Sequence, residues 1–222
     1  MLKYPCLVLD HDDTVVRSES TVNYPAFLEA LRVLRPGCTI SFLDFTRWTL
    51  LEGFEGMCKR HFSFSDRDLE RQFEIWQQYV MCHTPPCFPG ISSILHRQRA
   101  AGGWICVVSH SSRQNIQRDY AVHFQMQPDC IFGWELGAKQ RKPSPYPLDQ
   151  ILSRFNLRPQ ELLVVDDMKT GWDMAKTRDV AFAWAGWSRL ELLELFHPLE
   201  QASDFSFHSP SELETFLFDP IM

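Results

Sequence analysis

The sequence predicts an α/β fold, in which a parallel sheet is flanked by helices and an α-helical cap domain is inserted after the first strand. Two observations predict it. Short apolar runs that stop at polar residues alternate with segments of helical periodicity, the pattern of a parallel sheet covered on both faces. The alternation is interrupted once, over residues 17–87, where the periodicity is helical and no convincing strand pattern occurs.

Four apolar runs are the predicted central strands. In chain order they are Leu7–Leu9, Trp104–Val108, Glu161–Val165 and Val180–Trp184. The first three stop directly at Asp10, Ser109 and Asp166, as buried strands do where they reach a polar edge. Two weaker strand candidates are Cys130–Phe132 and Phe205–Phe207.

Helical stripes and capping residues lie between these runs. One apolar stripe has i, i+3, i+4, i+7 spacing and consists of Leu148, Ile151, Leu152 and Phe155. Ser144 is the predicted N-cap of that helix, with Pro145 at its first position. Ser209 is the predicted N-cap of the last helix, with Glu212 three residues later as in a capping box.

The interrupted stretch is the predicted cap. Its first helical stripe contains Phe27 and Leu31, and a second helical segment opens at Ser65. A proline-rich stretch over residues 84–90 returns the chain to the alternating pattern as a stiff linker. The predicted organisation is therefore core over residues 1–16, cap over 17–87 and core again over 88–222.

Composition narrows the function classes. The chain of 222 residues has 22 Lys and Arg against 28 Asp and Glu, a net charge of −6, which gives no electrostatic footprint for nucleic acid or an anionic membrane. No apolar run approaches the roughly 18 residues of a membrane span, and no secretory signal is visible. The 7 cysteines are an odd number with scattered spacing, so we expect reduced thiols and a cytoplasmic protein.

The polar residues that follow the predicted strands are the candidate site. In open parallel sheets, ligands bind at the carboxyl ends of the strands. Here that edge, with one lysine before a capped helix, gathers Asp10, Asp12, Ser109, Lys142, Asp166 and Asp167. Clustered carboxylates repel one another, and Mg²⁺ resolves the repulsion because it prefers carboxylate oxygens and accepts phosphate in its shell. A nucleophile, a metal, a cation and an acid are the parts of phosphoryl transfer.

Four segments in chain order resemble the motifs of the haloacid dehalogenase superfamily. They are Asp10–Thr14, which reads Asp-x-Asp-x-Thr after an apolar strand, then Val108–Ser109, Lys142–Pro145 and Val165–Gly171. The resemblance implies a Rossmann-like core with an inserted cap. In having such a cap, the chain resembles the phosphoglycolate phosphatase and β-phosphoglucomutase members of the superfamily.

The resemblance also implies catalytic and phosphate-binding roles. Asp10 would be the nucleophile that forms an aspartyl-phosphate, and Asp12 would protonate the leaving oxygen and then activate water. Phosphate would be bound by Ser109, by Lys142 and by the backbone N–H groups that follow Ser109, beginning with that of His110. His110 is not expected to act as a base, because Asp12 already fills that role.

The implied metal site uses both acidic motifs. Mg²⁺ would be held by the Asp10 and Asp167 carboxylates and by the main-chain carbonyl of Asp12. Asp166 would be either a further ligand or a residue that contacts the ligands. We favour Asp167 as the direct ligand because its spacing to Gly171 is the commoner one in the family. Asp13 stands where the family usually has glycine. The acid at Asp12 favours phosphate esters over the haloacids and phosphonates that other members cleave.

The predicted function is Mg²⁺-dependent hydrolysis of a small phosphorylated metabolite. A sugar-phosphate mutase on the same scaffold would share every core residue. A receiver-like phospho-Asp switch uses similar groups, but there the acid pair comes first and the lysine last. A catalytically dead binding protein is disfavoured by the intact set of motif residues. The sequence makes no prediction of oligomeric state.

Overall fold

The computed structural model describes residues 2–219. Within them the chain forms six β-strands and ten α-helices and divides into two compact units. One unit contains the start of the chain as far as Val16 and resumes at Cys87, and the other is Arg17–Pro86.

The first unit contains a single parallel sheet. Its strands are β1 (Cys6–Leu9), β2 (Trp104–Val108), β3 (Cys130–Phe132), β4 (Leu162–Asp166), β5 (Ala181–Ala185) and β6 (Phe205–Phe207). Their order is β3-β2-β1-β4-β5-β6, with every neighbouring pair parallel. The predicted α/β fold is confirmed, and the two weaker candidates are the edge strands. Asp166 belongs to β4 rather than following it, because it pairs in register with Trp184.

The register aligns the carboxyl ends of the central strands. Leu9 pairs with Val107 on one side and with Val165 on the other. The Asp10 amide then donates to the Val165 carbonyl at 2.9 Å, which extends the alignment one residue beyond β1. The residues after β1 and β2 and at the end of β4 consequently lie along the same edge of the sheet.

Six helices belong to this unit: α5 (Ile91–Ala100), α6 (Arg113–Phe124), α7 (Tyr146–Phe155), α8 (Lys169–Lys176), α9 (Leu193–Ala202) and α10 (Pro210–Phe218). Ser209 caps α10 as predicted, accepting from the Glu212 amide at 3.3 Å. The predicted cap of α7 is wrong by one residue. Pro145 is the N-cap, although the Ser144 hydroxyl still accepts from the Tyr146 amide at 3.4 Å.

The second unit is entirely helical, with α1 (Tyr24–Leu34), α2 (Phe42–Glu52), α3 (Phe54–Phe62) and α4 (Asp66–Cys82). Phe27 and Leu31 of the predicted stripe are buried in its own aromatic-rich core. Ser65 opens α4 through a capping box with Asp68.

Among residues 2–219, no helix combines the length and apolarity that crossing a membrane requires.

Candidate active site

A buried lysine joins two strand ends at the carboxyl edge of the sheet. Lys142, from the loop before α7, donates through Nζ to Asp10 Oδ1 at 2.8 Å and to Asp166 Oδ2 at 2.5 Å. Asp10 is 5% exposed and Lys142 7% exposed. Burial lowers the pKa of Lys142, but the nearby carboxylates of Asp10 and Asp166 raise it overall. Lys142 is therefore a permanent cation that holds Asp10, which lies 132 positions earlier in the chain, next to Asp166.

Three carboxylates meet beside this lysine. Oxygens of Asp10, Asp166 and Asp167 all lie within 4.8 Å of one another, and all three side chains are buried. Burial raises the pKa of Asp166 to about 8, against the opposing charge of Lys142, and Asp10 and Asp167 raise it further. Burial likewise raises the pKa of Asp167 to about 6, although Arg189 opposes this rise. If all three ionise, they carry more negative charge than the two buried cations beside them, Lys142 and Arg189, neutralise.

The donor set fits a hard divalent cation. Carboxylate oxygens that converge within a few ångströms are the ligands Mg²⁺ prefers, and a bound cation would offset both the burial and the mutual repulsion that raise these pKa values. Both Asp166 oxygens accept from protein donors, Oδ1 from the Met168 amide and Oδ2 from Lys142. Arg189 donates to Oδ2 of the Asp167 carboxylate from both Nε and Nη2. Asp12, whose predicted metal contact is its carbonyl, is partly exposed and its carboxylate is outside the cluster.

The loop after β1 is held by its own backbone. The Asp13 amide donates to the Val16 carbonyl at 2.7 Å, and the Val15 amide donates to the His11 carbonyl at 2.9 Å. Asp13 adopts a left-handed conformation with φ of 56°. Such a conformation favours glycine, which explains why the family usually has glycine there. The buried Trp187 fixes the same loop, since its indole donates to the Thr14 carbonyl at 3.1 Å.

Ser109 and His110 lie at the end of β2. Ser109 is buried, and its amide donates to the Phe132 carbonyl at 3.0 Å. The His110 ring Nε2 lies 3.2 Å from the Lys142 carbonyl, in position to donate to it. Burial lowers the pKa of His110, and the charge of Lys142 lowers it further. His110 therefore contacts the Lys142 backbone as a neutral ring at neutral pH.

Sequence reasoning missed Arg189. It lies after β5 and is 7% exposed. Its Nε donates to Asp167 Oδ2 at 2.7 Å, its Nη2 donates to the same oxygen at 2.5 Å, and Nη2 lies 3.3 Å from Asp13 Oδ2. No periodicity or motif distinguishes this arginine from a surface residue. The family's glycine position is here an aspartate that helps to hold a second buried cation.

Sequence reasoning also missed a buried pair directly behind the candidate nucleophile. His11 Nε2 lies 3.0 Å from Asp119 Oδ2, and both side chains are almost completely buried. Arg118 donates to the other oxygen of Asp119 at 2.7 Å. No apolar stripe was identified over α6 from the sequence. The sequence pattern therefore could not predict that Asp119 is buried in contact with His11.

The comparisons with known proteins agree with this architecture. Residues 8–185 match the family described as haloacid dehalogenase-like hydrolase. The match spans most of the chain and includes all four motifs, so the protein belongs to this family and is a hydrolase. Among curated protein sequences, none matches this chain significantly.

Solved structures share the fold at low sequence identity. A predicted phosphoglycolate phosphatase from Haemophilus somnus 129PT has a TM-score of 0.75 and 17% identity, over 97% of this chain and 99% of that one. CbbY from Rhodobacter sphaeroides, in complex with xylulose-(1,5)bisphosphate, has a TM-score of 0.70 and 18% identity, over 96% of each. A haloacid dehalogenase-like family hydrolase from Streptococcus pneumoniae has a TM-score of 0.73 and 18% identity, over 95% and 97%.

Proposed function

We propose that the protein is a Mg²⁺-dependent phosphohydrolase that cleaves a small phosphate monoester through an aspartyl-phosphate on Asp10. The observation that carries the proposal is the buried Lys142 bridge between Asp10 and Asp166, with the Asp167 carboxylate beside it. Lys142 places a positive charge directly beside the Asp10 carboxylate that would attack phosphorus. The same cation then faces the anionic phosphoryl group as it transfers.

The reaction has two steps that use the same acid. In the first, an Asp10 oxygen bonds to phosphorus, the ester P–O bond breaks, and Asp12 gives a proton to the leaving oxygen. In the second, Asp12 takes a proton from water, the water oxygen bonds to phosphorus, and the bond to Asp10 breaks to release phosphate. The partial exposure of Asp12 suits an acid that must reach substrate and water in turn.

The carboxylate cluster is the proposed metal site. Asp10, Asp167 and the main-chain carbonyl of Asp12 would hold Mg²⁺, with Asp166 beside it, and the ion would supply positive charge for the phosphoryl oxygens. Asp167 is the direct ligand in this proposal, because both oxygens of Asp166 already accept from Lys142 and the Met168 amide. Ser109 and the backbone N–H groups after it would bind the phosphoryl oxygens.

The proposed substrate class, phosphate esters of small metabolites, is supported by the chemistry of the site and by the solved structures with a similar fold. The solved structures are a predicted phosphoglycolate phosphatase and a protein bound to a sugar bisphosphate, and both names concern phosphate esters of small metabolites. The substrate proposed for this chain is of the same class.

The test is phosphate release from p-nitrophenyl phosphate and a panel of phosphorylated metabolites in MgCl₂. Asp10→Asn keeps the size of the side chain but removes the nucleophile, so activity is expected to vanish. Asp173→Asn is the matched control, because Asp173 pairs with Lys169 on the outside of α8. Full activity of Asp10→Asn, or in excess chelator, contradicts the proposal.

The same assay separates hydrolysis from the mutase alternative. A phosphohydrolase releases one phosphate for each ester consumed. A mutase converts a hexose 1-phosphate to its isomer, needs a bisphosphate primer and shows little net phosphate. We expect stoichiometric release.

A further inference from the structure

One arginine next to the catalytic lysine has an unmatched guanidinium nitrogen. Arg141 directly precedes Lys142, and its Nη1 atom is buried with no hydrogen-bond partner among residues 2–219. A buried donor that is left unpaired costs free energy, so such a group points to a missing acceptor. Arg141 takes no part in the proposed chemistry, so its role needs a separate explanation.

An aromatic platform holds this guanidinium. The Arg141 Cζ lies 3.5 Å from the centroid of the Trp134 ring, the distance of a close cation–π contact. Trp134 follows β3 and is 57% exposed, although large aromatic side chains usually bury most of their surface. The backbone of Arg141 is also held in place. Its amide donates to the Gly137 carbonyl, and its carbonyl accepts from the Ser144 amide.

The platform adjoins the candidate phosphate site. The His110 ring lies edge-on to Trp134, with 6.2 Å between the centroids, and the same ring contacts the Lys142 carbonyl. The charges of Lys142, Asp10 and Arg141 all act on His110. Arg141 therefore lies beside His110 and directly before Lys142 in the chain, and within residues 2–219 no hydrogen bond joins its side chain to Asp10 or Asp166.

We propose that Trp134 and Arg141 form a subsite for a second acidic group of the substrate, a carboxylate or another phosphate. The subsite rests on the proposed phosphatase function and specifies its substrate class. Arginine presents a planar fork of donors that matches both acidic groups, and stacking on Trp134 restricts that fork to one orientation. The esters selected in this way carry an acid besides the phosphate that is cleaved.

Matched substrate pairs test the subsite. Glycerol 3-phosphate and 3-phosphoglycerate differ by a carboxylate, and fructose 6-phosphate and fructose 1,6-bisphosphate differ by a phosphate. The wild-type enzyme is expected to prefer one or both acid-bearing members by about tenfold in kcat/KM, the size of one charge-assisted contact. Which pair shows the larger preference decides between carboxylate and phosphate.

Variants of Arg141 and Trp134 test whether these residues cause the preference for acid-bearing esters. Arg141→Met should remove it by raising KM for the acid-bearing ester, with kcat/KM for p-nitrophenyl phosphate unchanged. Arg141→Lys keeps the charge and should retain part of the preference. Arg154→Met is the matched control, because Arg154 also lies over an aromatic ring, 5.4 Å from the centroid of Phe155 on α7.

Several outcomes overturn the proposal. One is an active wild-type enzyme with no preference in either pair, which leaves the phosphatase function standing. Another is an Arg141→Met enzyme that loses activity equally on every ester, which would place Arg141 on the transferred phosphate. If circular dichroism shows that Arg141→Met is unfolded, Trp134→Leu, which removes only the platform, must lower the preference instead. A protein that releases no phosphate from any ester removes both the proposed function and the subsite.

Discussion

Gly171 packs against Asp166 so closely that a Cβ at position 171 would lie 2.6 Å from the Cβ of Asp166. Real Cβ atoms do not approach that closely, so any side chain at position 171 displaces Asp166. Asp166 is the residue that Lys142 and the Met168 amide hold in the carboxylate cluster. The glycine is therefore required by the cluster rather than by its backbone conformation.

The first prediction follows from this contact. Gly171→Ala should lower kcat at least about tenfold, because a carboxylate moved by a fraction of an ångström no longer meets its lysine and the proposed cation. Gly137→Ala is the control, since a Cβ at position 137 meets nothing within 4 Å. Steady-state kinetics with circular dichroism of both variants checks this. A folded Gly171→Ala enzyme with wild-type kcat contradicts it.

The second prediction concerns Lys142. Lys142→Met leaves the buried carboxylates of Asp10 and Asp166 without their shared cation, which should destabilise the fold by about 3 kcal/mol and abolish turnover. Lys169→Met removes an exposed lysine paired with Asp173 and should change stability by less than about 1 kcal/mol. Urea unfolding of both variants measures the difference. Equal losses would show that the buried Lys142 bridge adds no more stability than the exposed pair of Lys169 and Asp173.

The sequence predicted much of this architecture because local patterns determine it. Apolar runs that stop at acids identified the strands, and the parallel sheet then brought Asp10 and Asp166 to the same edge. Arg189 and Asp119 could not be found in this way. Asp119 lies in a polar stretch and Arg189 in a mostly apolar one, and the burial of each charge depends on contacts with residues far away in the chain. The cap of α7 was misplaced because Ser144 and Pro145 both suit the start of a helix.

The third prediction concerns Arg189. Its guanidinium donates twice to Oδ2 of Asp167, the proposed direct metal ligand, so it offsets charge that a cation would otherwise neutralise. Arg189→Met should therefore destabilise the metal-free protein and bind Mg²⁺ about fivefold more tightly or better. Calorimetric titration with MgCl₂ measures the affinity, and Arg189→Lys is the charge-matched control. Unchanged affinity in a folded Arg189→Met protein would show that Arg189 does not oppose cation binding.

The fourth prediction concerns pH. The pKa of Asp166 is raised from its ordinary 3.8 to about 8, so between these values the folded protein retains a proton that the unfolded chain has lost. The free energy of unfolding must then fall as pH rises from about 4 towards 8 and level off above 8, so the part lost between pH 7 and pH 9 is about 1.4 kcal/mol. Urea unfolding in chelator should show this extra loss in the wild type relative to Asp166→Asn. Added MgCl₂ should reduce it, because ionised carboxylates bind the cation. Identical pH slopes in the two proteins would contradict it.

The last prediction concerns His11 and Asp119, whose side chains are 3.0 Å apart and buried. His11→Leu leaves a buried carboxylate short of a partner, and Asp119→Leu leaves a buried imidazole, so each should cost about 2 kcal/mol or more. The double variant replaces both polar groups with apolar ones and should be more stable than the sum of the single losses implies, by about 1 kcal/mol or more. A double-mutant cycle by urea unfolding measures this coupling. Strictly additive losses would mean that the two residues stabilise the loop behind Asp10 independently, through packing rather than through their contact.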